Sequence, residues 1–213
     1  MDNANFLLIA VEGIDGAGKT TYSKLLSNSL SNELSNKFSK FIVEHEPSNT
    51  SIGKLVKKVS RKKPDEALLL SLLYSVDRIY HAKKIEKYKK EGTVVICDRT
   101  YYSTVAYQSY PLFKQGEFSS LEKAMEWNLE LQKIVFPLKF DLKIYINIPV
   151  KISIERTKTR RNIHPFEKKS YLENVKSIYD KITQKEQDWI VLDGTNDISE
   201  NIAIIVKNLK TNL

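Results

Sequence analysis

Eight consecutive residues near the start carry dense chemistry: Gly13-x-x-x-x-Gly18-Lys19-Thr20, a phosphate-binding loop pattern. Gly13, Gly16 and Gly18 let the backbone turn tightly and point its N–H groups inward, with Ile14, Asp15 and Ala17 completing the cradle. Lys19 has the reach and charge for the outer phosphates of ATP. The Thr20 hydroxyl suits Mg²⁺, and Thr21 follows it into a helix whose positive N-terminal end adds to the anion site. The alternative is a glycine turn with no ligand. Its place between the apolar run Phe6–Val11 and a helical stretch favours the nucleotide.

Further groups could complete a transfer site. Asp98 ends the run Val94-Val95-Ile96-Cys97, where phosphate-loop enzymes place a magnesium-organising acid. Asp77-Arg78 follows the aromatic Tyr74, and Asp98-Arg99 is followed by Ser103, Tyr107 and Gln108. Glu155-Arg156-Thr-Lys158-Thr-Arg160-Arg161 forms a basic cluster. Taken singly, the arginines read as solvated charges and the tyrosines as core aromatics. Together with the loop they suit phosphoryl transfer between two polyanions. A phosphate acceptor is already a nucleophile, so the work is positioning and charge neutralisation. Arginine's planar fork matches phosphate oxygens.

The elements that must position these groups alternate. Strand-like runs are Phe6–Glu12, Phe41–Glu44, Thr93–Asp98, Leu142–Ile148 and Trp189–Asp193. Most are continuously apolar, as strands buried on both faces are. Helical patterns lie between them. One covers 19–36, where Leu26, Leu30, Leu34 and Phe38 form a stripe beside recurring Ser-Asn pairs. A long one opens at Pro64-Asp65-Glu66 and closes at Gly92. Ser119-x-x-Glu122 and Asp197-x-x-Glu200 read as capping boxes for helices near 120–135 and 198–210. The expected fold is a three-layer α/β/α unit of the phosphate-loop NTPase type. Its five-stranded parallel sheet has helices on both faces and a ligand site beyond the strands' carboxyl ends.

The 213 residues fit one domain, 1–213. Phe6–Val11 is far shorter than the roughly 18 apolar residues of a membrane span, and the start has no basic leader region. One cysteine, Cys97, suits a reducing compartment, so a cytoplasmic location is expected. The net charge of +8 includes scattered pairs such as Lys57-Lys58 and Lys83-Lys84, which read as solvated helix faces. The basic stripe with interleaved aromatics of a nucleic-acid binder is missing.

The chain resembles the thymidylate kinases along nearly its whole length. EGIDGAGKTT is similar to the family's phosphate loop, EHEPSNTSIG to the segment after the second strand and LLYSVDRIYH to its arginine-bearing helix. DRTYYSTVAYQ is the most specific match; ERTKTRR resembles the basic lid, here at about 156–169, and VLDGT the strand and loop near adenine, with Thr195. The resemblance implies ATP- and Mg²⁺-dependent phosphorylation of dTMP to dTDP by a homodimer. Lys19 and Thr20 would hold phosphates and metal, and Asp98 would organise the metal. Asp15 would reach the acceptor's sugar hydroxyl, and Arg78 and Arg99 its phosphate. Tyr74 would stack on the base, Ser103 and Gln108 would read its polar edge, and Tyr107 would pack by the sugar. Arg156 and Arg160 would close over the transferring group.

Three positions depart from the family pattern. His45-Glu46-Pro47-Ser48 stands where Arg-Glu-Pro-Gly is common, and Pro165 where the lid often has arginine. Gly16 stands where some relatives carry arginine, which implies that the lid supplies the catalytic arginine. The nearest rivals are another monophosphate kinase or a deoxynucleoside kinase. A nucleoside kinase needs a carboxylate base, and such enzymes resemble Glu-Arg-Ser where this chain has Asp98-Arg99-Thr100. A guanine-nucleotide switch would need Asn-Lys-x-Asp, which does not occur.

Overall fold

Buried parallel strands need apolar residues on both faces, and the three central apolar runs meet that need. The computed structural model describes residues 5–158 and 169–211. Its strands are β1 (Leu7–Glu12), β2 (Lys40–His45), β3 (Thr93–Asp98), β4 (Leu142–Asn147) and β5 (Trp189–Asp193). The helices are α1 (Lys19–Leu34), α2 (Ser51–Lys62), α3 (Ala67–Lys89), α4 (Tyr101–Lys114), α5 (Leu121–Val135), α6 (Val150–Thr157), α7 (Lys169–Lys185) and α8 (Ile198–Thr211). All pairings are parallel, in the order β2-β3-β1-β4-β5. The chain builds β2 and β3 on one side of β1, then β4 and β5 on the other. Loops therefore diverge at the carboxyl end of β1, where an open α/β sheet opens its ligand crevice.

The central strands supply the core. Every residue of β1 and β3 is buried, including Leu8, Ile9 and Ile96. The Leu26–Leu30–Leu34–Phe38 stripe packs into the same core, as its spacing predicts. The Tyr101, Phe136 and Phe140 rings cluster beneath α4, with Phe136 and Phe140 stacked at 5.6 Å between centroids. Among the described residues, no helix is long and apolar enough to cross a membrane.

Two helix starts differ from their sequence readings. Ser120, not Ser119, caps α5: its hydroxyl accepts from Lys123 N at 3.2 Å, and Glu122 falls one position early for a capping box. Pro64-Asp65-Glu66 forms a turn before α3, closed by Glu66 N to Lys63 O at 3.2 Å, and the helix begins at Ala67. Asp197 does cap α8, with Oδ1 accepting from Ser199 N at 2.7 Å.

Candidate active site

β1 delivers the phosphate loop to the crevice. Gly16 has φ +80°, and a Cβ there would lie 2.7 Å from the Ser153 carbonyl oxygen of α6. Ser153 also donates from Oγ to Asp15 O at 2.5 Å. α6 thus clamps the loop from outside, and position 16 has no room for an arginine. Lys19 is buried and donates to Gly13 O and Ile14 O, both at 2.9 Å. Burial, with the charge of Arg99, lowers its pKa to about 8 against the pull of Asp15 and Asp98.

β3 ends beside it. Asp98 Oδ2 accepts from Thr20 Oγ1 at 2.6 Å and lies 3.1 Å from His45 Nδ1. Burial alone would raise the Asp98 carboxyl; the hydrogen bond from His45, the charge of Lys19 and the Thr20 hydroxyl outweigh it and lower it. A threonine hydroxyl and a carboxylate that converge beside a phosphate loop are hard oxygen donors suited to Mg²⁺. His45, left without a role by sequence, is a direct neighbour of that carboxylate.

Arg99 follows in the left-handed conformation, φ 72°. The cause is Glu12, fully buried at the end of β1. Its Oε1 accepts from Thr100 N and Thr100 Oγ1, and its Oε2 from Ser103 Oγ and Tyr179 OH, all at 2.7 Å. This carboxylate turns the chain out of β3 and into α4. Arg99 then pairs with Asp15, reaches Ser103 Oγ at 3.0 Å and lies over the Tyr107 ring, 5.2 Å from its centroid. Tyr107 OH accepts from Asp15 N at 3.0 Å. α4 contains Pro111, which has no N–H for the Tyr107 carbonyl; the Tyr171 hydroxyl of α7 donates to that carbonyl instead.

A cavity of about 250 Å³ opens beyond Arg99. It brings together all seven residues read from sequence for the acceptor: Asp15, Tyr74, Arg78, Arg99, Ser103, Tyr107 and Gln108. Ser103 and Arg78, like Tyr107, are already engaged with protein partners. The Ser103 hydroxyl serves Glu12 and Arg99. Arg78 donates from Nε to Glu46 Oε2 at 2.9 Å, from Nη2 to Thr104 Oγ1 at 3.2 Å, and from Nη1 to Gln132. It acts on the cavity through a buried ion pair rather than as a free fork. Its neighbour Asp77 braces the segment after β2, accepting from Ser48 N at 2.7 Å and Ser48 Oγ at 2.5 Å.

Glu12, Glu46, Thr104 and the α2 residues Lys57, Ser60 and Arg61 are site residues that sequence reasoning missed. Glu12 was within reach, because it ends an apolar run as Asp98 does. The others are defined by partners distant in sequence. On the donor side, Arg156 Nη2 lies 3.2 Å from Gly194 O and Nη1 3.4 Å from Gly16 O, which ties α6 to the loop after β5. Thr195 in that loop donates to Asp193 Oδ1 from its N at 2.8 Å and its Oγ1 at 2.6 Å. Arg160, Arg161, Pro165 and most of the segment read as a basic lid lie outside the described residues.

The family model described as thymidylate kinase matches residues 11–205. The chain belongs to the thymidylate kinase family. A probable thymidylate kinase of Methanocaldococcus jannaschii is 33% identical over 197 residues, covering 92% of this chain and 91% of its own. Probable thymidylate kinase 1 of Saccharolobus solfataricus is 33% identical over 207 residues, covering 97% and 98%. The solved structure of thymidylate kinase from Candida albicans superposes with a TM-score of 0.77 at 21% identity, covering 98% of this chain and 92% of that one. That likeness confirms the three-layer phosphate-loop fold. In this chain His45 lies against Asp98, and Ser48 is held by Asp77.

Proposed function

We propose that this chain transfers the γ-phosphoryl group of ATP to the 5′-phosphate of dTMP, giving dTDP and ADP. The observation that carries the reading is a shared wall. Asp15, Glu46 and Arg99 line both the phosphate-loop cleft and the acceptor cavity. A donor in one and an acceptor in the other meet across Arg99. The names of the relatives supply the nucleotide, and the aromatic pair Tyr74 and Tyr107 with Gln108 suits a flat base with a polar edge.

In this reading the loop residues 13–21 and Lys19 hold the donor's phosphates, and Thr195 lies near its base. Arg99 aligns the acceptor phosphate, one of whose oxygens attacks the γ-phosphorus as the bond to the β-bridging oxygen breaks. No general base is needed. Asp15 meets the acceptor's sugar hydroxyl. Arg156 and Arg160 neutralise charge on the transferring group. Thr20 and Asp98 would hold Mg²⁺, which when bound screens the phosphate oxygens.

The reading includes a homodimer. On α3, Leu68, Leu69, Leu72, Val76, Ile79 and Tyr80 are between 38% and 55% exposed, and their spacing aligns them in one stripe. An apolar stripe of that length supports burial against a second copy. A cytoplasmic location is part of the reading, with Cys97 free and buried. Neither nucleic acid nor a membrane enters it. ADP release that depends on dTMP, with thymidine and no acceptor as controls, tests the proposal. Release indifferent to the acceptor would count against it.

A further inference from the structure

Arg99 stands between the phosphate-loop cleft and the acceptor cavity, and both of its terminal nitrogens are anchored. The two anchors differ. Nη2 pairs with Asp15, whose side chain is 21% exposed and lines both spaces. A ligand hydroxyl or phosphate can compete for that arm. Nη1 donates to Ser103 Oγ at 3.0 Å, and Ser103 Oγ donates to Glu12 Oε2 at 2.7 Å. Glu12 is fully buried and lines neither space, so no ligand in them reaches the end of this second arm.

The hydrogens of the second arm run in one direction. Arg99 can only donate, so Ser103 Oγ accepts there and turns its own hydrogen to Glu12. Tyr179 OH donates to the same carboxylate oxygen at 2.7 Å. The other oxygen accepts from Thr100 N and from Thr100 Oγ1, which itself accepts from Tyr102 N at 3.3 Å. Every hydrogen in the set therefore points at Glu12. Among side-chain groups, only a carboxylate offers two oxygens that do nothing but accept.

We infer that Glu12 is a positioning residue of the transfer reaction: acting through Ser103, it keeps Arg99 in place when Asp15 exchanges Arg99 for the incoming acceptor. This rests on the kinase reading above. The exposed arm to Asp15 adapts to the ligand, and the buried arm to Glu12 keeps the guanidinium from following it. Glutamine fills the same volume but replaces one oxygen with an NH2. Facing Thr100, that NH2 would meet a backbone N–H, so it turns to Ser103. There it competes with Arg99 Nη1 for the hydroxyl oxygen, and the Tyr179 hydroxyl loses its acceptor. Displacing an aligned group by about 1 Å costs about 100-fold in rate.

The test is a double-mutant cycle on kcat with ATP, Mg²⁺ and dTMP: wild type, Glu12→Gln, Arg99→Ala and the double variant. Glu12→Gln is expected to lower kcat by about 10- to 100-fold, with KM for ATP unchanged. In the Arg99→Ala background the same substitution is expected to cost less than about threefold, because the arm then holds nothing. Losses that multiply overturn the inference, since Glu12 then acts on the fold and not on Arg99. A Glu12→Gln kcat within about threefold of wild type overturns it as well and leaves the kinase reading standing. Ser103→Ala cuts the same arm while sparing the bonds of Glu12 to Thr100 and Tyr179. It carries the cycle where circular dichroism shows Glu12→Gln unfolded, and the same non-additive pattern is expected. Wild-type enzyme inert toward dTMP removes the kinase reading and this inference together.

Discussion

Arg78 and Glu46 form a buried pair, with Nε 2.9 Å and Nη2 2.5 Å from Glu46 Oε2. His81 Nδ1 holds the other carboxylate oxygen at 2.9 Å. The pair fastens α3 to the segment that leaves β2, and so fixes one wall of the acceptor cavity. Burial alone would raise the Glu46 carboxyl, but Arg78 and His81 hold it at about 2. A depressed carboxyl contributes stability above its unfolded pKa and loses it as pH falls through the folded value. Stability should therefore drop by up to ~3 kcal/mol between about pH 4.5 and pH 2 on account of this group. Glu46→Gln should flatten that part of the profile. It should also destabilise the protein at neutral pH by about 3–5 kcal/mol, because Arg78 stays buried without its counter-charge. Urea unfolding across pH checks both effects.

Gly16→Ala should damage the phosphate loop. The left-handed backbone disfavours a side chain, and the new Cβ would meet the Ser153 carbonyl. We expect a loss of about 1–3 kcal/mol in stability and a clear rise in the Kd for ATP. Thermal unfolding and nucleotide titration measure them separately.

Arg99→Ala should leave ATP binding nearly intact and lower turnover by about 100- to 1,000-fold, the usual effect of losing one aligned donor at a transition state. Equal losses of ATP affinity and turnover would make Arg99 a structural residue of the Asp15 loop instead.

Val76→Glu places a charge in the middle of the exposed α3 stripe. If that stripe is the homodimer contact, the variant should sediment as a monomer with its fold retained. Light scattering and circular dichroism together decide it.

The phosphate loop was legible because its chemistry is backbone geometry, and glycine spacing writes that geometry into a short window. Asp98 was legible because a charged end to an apolar strand points to the crevice. The sheet followed from the alternation of continuous apolar runs with helical stripes. Arg78 shows what a local pattern cannot carry. Its charge suited phosphate, yet its partners, Glu46 and Gln132, are 32 and 54 residues away. The Ser103 hydroxyl, expected to read a base edge, is also hydrogen-bonded to Glu12, 91 residues earlier, a partner that no local pattern announces. The cap of α5 slipped by one position because Ser119 and Ser120 are chemically alike, and only the approach of the Lys123 N–H distinguishes them.

The most direct measurement is to follow the label from γ-³²P-ATP with Mg²⁺ and dTMP, and to identify the labelled product by chromatography. The account predicts that the label appears in dTDP, with ADP formed in equal amount and none of it without an acceptor. Label released as inorganic phosphate at the same rate with or without dTMP would contradict it.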